Sequence, residues 1–78
     1  MFTVESLKKE IADVEFPKNW REGQKVFNYV DQVFGIARYI QFNKGIDCFY
    51  KDDAINGFLQ ETANVLNEYD KTERSNNQ

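Results

Sequence analysis

The chain has 78 residues, a net charge of −3, one Cys, no His and 15% aromatic side chains. That length allows one small domain with a thin core. One Cys cannot close an internal disulfide, and without His a zinc site lacks its usual ligands, so packing must hold the fold.

Thr3 and Val4 open the first periodic segment. Val4, Leu7, Ile11 and Val14 are spaced 3, 4 and 3, which predicts an amphipathic helix. Thr3 is its expected cap, and Glu5 sits where the helix dipole favours an anion. Pro17 disfavours helix at Phe16, so the helix is expected to end near Glu15.

Asn19 followed by Glu22 reads as a capping box. Val26, Phe27, Val30, Val33 and Phe34 follow at helical spacing. Gly35 breaks the pattern, and Ile36, Ala37 and Ile40 resume it, which favours a turn between two helices over a kink. "QFNKGID" is a loop by composition, after which Asp52 or Asp53 is expected to cap a last helix. Ile55, Phe58, Leu59, Thr62, Leu66 and Tyr69 share its apolar face. Asn56-Gly57 is a hairpin signal, but "FLQETANVL" repeats at 3 and 4 and keeps the helix. The expected fold is all-α: one compact bundle of three main helices plus one short helix over residues 1–70, with a flexible C-terminal tail over 71–78.

Charge is unevenly spread. Residues 1–17 are net −2, residues 18–51 net +3 and residues 52–78 net −4. No apolar run is long enough for a membrane span and no signal-peptide core is visible, so the chain reads as cytoplasmic with no membrane partner.

The densest chemistry lies in "GIDCFYKDD", Gly45 to Asp53. A nucleophilic Cys48 would want a His base, and there is none. A calcium loop would want oxygen ligands at alternate positions, where Cys48, Phe49 and Tyr50 stand. No paired carboxylates or Gly-rich phosphate loop complete a site. The reading is therefore no enzyme, no catalytic or metal residues and no cofactor.

Two binding readings remain. Trp20, Arg38, Tyr39, Lys44 and Tyr50 are residue types that dominate protein interfaces, and they are the expected partner surface. A thin core also gains from a homo-oligomer. The alternative is nucleic acid, bound by the basic, aromatic-rich middle segment. An overall excess of acids makes it the weaker reading.

"WREGQKVFNYV" and "DCFYKDDAINGFL" together resemble a group of small uncharacterised proteins encoded by phages and prophages. The group's pattern is R-x-G-Q-x-x-F-N, a short helix, then D-x-F-Y-x-D. Arg21, Gly23, Gln24, Phe27 and Asn28 match the first part; Asp47, Phe49, Tyr50 and Asp52 match the second. The chain departs at Gly35, where the pattern has Pro, and in its longer N-terminal segment. The resemblance implies a phage-type protein in a bacterial host, with a role in modulating host processes or defence. It also suggests a structural junction of Arg21, Gly23, Gln24, Asn28, Asp47, Phe49 and Asp52. An Arg21–Asp47 pair is its expected link, over a floor of Phe27, Phe49 and Phe58.

Overall fold

A computed structural model describes residues 1–76, with side chains described through Asp70. The fold is an all-α bundle. Its helices are α1, Val4–Ala12; α2, Glu22–Phe34; α3, Ala37–Asn43; and α4, Ile55–Asn76. A 3-10 turn, Asp52–Ala54, leads into α4. Three main helices and one short one match the sequence expectation.

α1 starts on a reciprocal cap. The Ser6 amide donates to Thr3 Oγ1 at 3.0 Å, and the Thr3 amide donates to Ser6 Oγ at 2.9 Å. The helix ends at Ala12, earlier than expected. The Asp13 and Val14 amides bond to the carbonyls of Glu10 and Ile11, which tightens the last turn. Val14 thus leaves the helix and, with Phe16, lines an open groove beside Ile11, Val26 and Ile55.

α2 begins at Glu22, and its N-cap is Arg21 rather than Asn19. A turn closed by the Trp20 amide on the Pro17 carbonyl leaves Asn19 outside the helix. Arg21 offers no side-chain acceptor, so the α2 amides need a partner from elsewhere. At the other end Gly35 adopts φ 71°, and its amide reaches the carbonyls of Val30 and Asp31. This left-handed cap makes a turn between two helices, not a kink.

The core is Leu7 and Ile11 from α1, Val26, Phe27 and Val30 from α2, Ala37 and Ile40 from α3, and Phe58, Leu59 and Ala63 from α4, closed by Cys48. Among the described residues Thr62 is buried and polar, and its hydroxyl donates to the Phe58 carbonyl at 2.8 Å. Tyr69, expected on the core face of α4, is exposed and lines a shallow groove with Tyr39 and Lys44 instead. The N-terminal segment is tied to α4. The Phe2 amide donates to Asn67 Oδ1 at 2.8 Å, and Asn67 Nδ2 donates to the Phe2 carbonyl at 2.9 Å. The α4 backbone is helical through Asn76; the expectation of a flexible tail over 71–78 otherwise lies outside the described residues.

Candidate functional site

The start of α2 and the loop after α3 meet in one junction. Gly45, at φ 70°, turns the chain out of α3. Asp47 then folds the loop on itself: its Oδ1 accepts from the Phe49 amide at 2.9 Å, and its Oδ2 accepts from Gln41 Nε2 at 3.1 Å. Both carboxylate oxygens of Asp47 are thus engaged locally, and Arg21 goes elsewhere. Arg21 donates to the carbonyls of Phe49, at 2.6 Å, and Tyr50, at 3.3 Å. The expected Arg21–Asp47 pair is thus replaced by a guanidinium fork on two backbone oxygens. The planar fork suits two adjacent acceptors whether or not they carry charge.

Gly23 is where the two segments touch. A Cβ there would land on the carbonyl oxygen of Cys48 and lie 2.8 Å from Asp52 Oδ1. The Gly23 amide donates to Asp52 Oδ1 at 3.0 Å. Asp52 therefore caps α2 from 29 residues away, where a cap for α4 was expected. The 3-10 turn it belongs to has no side-chain cap of its own. An acid at the positive end of α2 is also favoured by the helix dipole.

Beneath the junction the Phe27 ring lies 5.5 Å from Phe49 and 5.6 Å from Phe58, centre to centre. Gln24 and Asn28 are half-buried on α2 and, among the described residues, make no hydrogen bond to the loop. Trp20 is half-buried against Phe16, 6.0 Å between rings, so it is packing rather than free surface. Tyr50 is 69% exposed, with its ring 4.8 Å from Phe49 and 6.0 Å from the Arg21 guanidinium carbon. Arg38, Tyr39 and Lys44 are exposed on and after α3. The expected partner surface thus divides between the Tyr50 loop and α3. Exposed Phe42 and Tyr69 belong with the α3 group; neither is in the expected partner surface, and Tyr69 was expected in the core. Spacing placed Tyr69 in the core, whereas Phe42 lies off the Ile36, Ala37 and Ile40 stripe, in a stretch read as loop that is the last turn of α3.

The chemistry available is limited. Cys48 is fully buried, and its thiol donates to the Gly23 carbonyl at 3.4 Å. Burial, reinforced by the nearby carboxylates of Asp47 and Asp52, pushes its pKa up to about 12. At neutral pH it is a thiol and no nucleophile. Among the described residues no group of three or more His, Cys, Asp or Glu could hold a metal ion. Asp47 and Asp52 serve the backbone instead. No helix among the described residues is long and apolar enough to cross a membrane.

The raised thiol gives a pH signature. In the folded chain Cys48 keeps its proton up to about pH 12, while an ordinary thiol loses it from pH 9.0. The unfolded state therefore binds fewer protons in that window, and stability falls as pH rises through it. The slope from this group is at most about 1.4 kcal/mol per pH unit. Tyr29, raised by burial and by Glu10, adds a slope of the same sign at high pH. Urea unfolding from pH 8 to 11 should show the decline, and Cys48→Ala should flatten its first part. An unchanged slope in that variant would remove the thiol from the account.

Comparison of the chain with protein-family models, with curated proteins and with solved structures finds no match.

Proposed function

We propose that the protein is non-enzymatic and acts by binding another protein, with Tyr50 as its anchor. The observation that carries this reading is a large exposed side chain on a loop that is already fixed. Tyr50 is 69% exposed, yet its carbonyl is held by Arg21 and its ring rests on Phe49. A side chain immobilised before docking loses little entropy on binding. Tyr and Arg together are common hot-spot residues. Lys51, next along the loop, is exposed and extends the contact.

The resemblance to phage and prophage proteins rests largely on the residues that build this loop. It supports a host or phage protein as the partner, in the bacterial cytoplasm, and a role in modulating host processes or defence. The nucleic-acid alternative has less support. Arg21 is occupied by carbonyls, Lys25 pairs with Glu22 at 3.0 Å and Lys44 lies 4.0 Å from Glu61. Those cations are not free for phosphates.

Immobilised wild-type protein and Tyr50→Ala, passed through the same bacterial lysate, test the proposal. Wild type should capture a specific protein, and the variant should bind it roughly 30-fold more weakly, the loss of one hot spot. Stability should fall only by the loss of the Phe49 contact, about 0.5–1.5 kcal/mol, with the fold retained. Equal capture by both proteins, or no captured protein together with salt-sensitive retention on heparin, would overturn it.

A further inference from the structure

Asn56-Gly57 is a sequence signal that the helix overrides without using. Both residues are exposed, in the first turn of α4. Asn56 is the one Asn of the chain that is followed by Gly. Its side chain lines two open grooves and, among the described residues, makes no hydrogen bond. Asn67, by contrast, is held at both ends by Phe2. Space around Gly57 is open as well: a Cβ there would meet only Ile46 Cδ1, at 3.9 Å. The helix start has no side-chain cap. The 3-10 turn follows Lys51, which offers no acceptor, and the Asp52 carboxylate serves α2. An uncapped first turn opens more readily than the rest of a helix.

We propose that Asn56 is a site of spontaneous deamidation, gated by opening of that turn. Helical ψ holds the Gly57 nitrogen away from Asn56 Cγ. When the turn opens, the freedom of glycine lets the two meet. The Gly57 amide gives its proton to hydroxide, and its nitrogen bonds to Asn56 Cγ. The Cγ–Nδ2 bond breaks, and Nδ2 leaves as ammonia with a proton from water. The product is a five-membered imide. Water opens it at either carbonyl, giving Asp or isoaspartate and adding one negative charge to the chain's −3. In isoaspartate the main chain runs through the former side-chain carbon and is one atom longer. Phe58 and Leu59 follow at once and are fully buried, so they keep their places only if the turn before them yields. That turn carries Asp52, so the isoaspartate form holds the loop over Cys48 less firmly. The modification does not depend on the role given to Tyr50.

Native and guanidinium-unfolded chain, incubated at mildly alkaline pH and then digested, test the site by mass spectrometry. Both should convert in the peptide that holds Asn56, the native chain more slowly. Gly57→Ala should slow conversion of the unfolded chain about tenfold or more. Lys51→Ser, which supplies the missing cap, should slow the native chain about fivefold and leave the unfolded rate alone. The isolated isoaspartate form should expose Cys48 to a thiol reagent faster than the unmodified chain does. An intact Asn56 in the native chain, beside conversion of the unfolded one, would overturn the proposal. So would wild-type rates in Gly57→Ala or in native Lys51→Ser, or equal Cys48 labelling of the two forms.

Discussion

Gly23→Ala is expected to destabilise the fold by about 2–4 kcal/mol, combining overpacking against backbone with a strained helix cap. The added methyl would meet the Cys48 carbonyl, a main-chain atom that cannot rotate away, and would press on Asp52 Oδ1. Relief requires the loop to retreat. That retreat lengthens the Gly23–Asp52 hydrogen bond and lifts Phe49 from Phe27. Against a total stability of about 5–15 kcal/mol, the loss is large. Urea unfolding should show a lower midpoint with an unchanged slope. Gly57→Ala is the control. Its Cβ would meet only Ile46 Cδ1, at 3.9 Å, within α4. There alanine should raise stability by about 0.4–1 kcal/mol. If both variants melt like wild type, the close approach at Gly23 does not exist in solution.

Arg21→Ala should open the junction without unfolding the bundle. Cys48 reports that opening, because its sulfur is fully buried beneath the loop and cannot meet a thiol reagent until the loop lifts. Hydrogen bonds from a charged donor contribute about 1.5–3 kcal/mol each, and the exposure of Arg21 argues for the lower end. Loss of the fork on the Phe49 and Tyr50 carbonyls should therefore speed labelling of Cys48 about tenfold or more. Arg21→Lys should fall between, since an ammonium cannot hold two carbonyls in one plane. Labelling rates under native conditions, set beside global unfolding, separate local from global opening. A labelling rate that moves only in step with global stability would show that Arg21 does not hold the loop.

Much of this was readable from spacing. The 3-and-4 stripes placed four helices, and Gly35 marked the turn between the middle two. The Asn56-Gly57 hairpin signal lost because α4 repeats with helical period on its far side, and a helix tolerates one glycine. The junction was legible in membership but not in wiring. Asp52 has the look of a local cap for the helix that follows it, yet its carboxylate serves α2. Arg21 and Asp47 suggest each other by charge, yet one takes backbone oxygens and the other a backbone amide. Backbone groups carry no residue-specific signal, so sequence reasoning overlooks them as partners. Tyr69 failed for a different reason. Periodicity gives the face of a helix, but not which residues of that face a neighbour covers.

The clasp between Phe2 and Asn67 has a consequence for the order of assembly. α1 packs chiefly on α4, and Asn67 lies 65 residues beyond Phe2. At about 5–20 residues per second, synthesis separates the two by about 3–13 s. For part of that interval Leu7 and Ile11 have α2 but not the whole of α4 to pack against. A nine-residue helix is marginal in water by itself, so the Thr3–Ser6 cap and α2 must support it until then. The N-terminal segment therefore completes its native contacts only after α4 has been made.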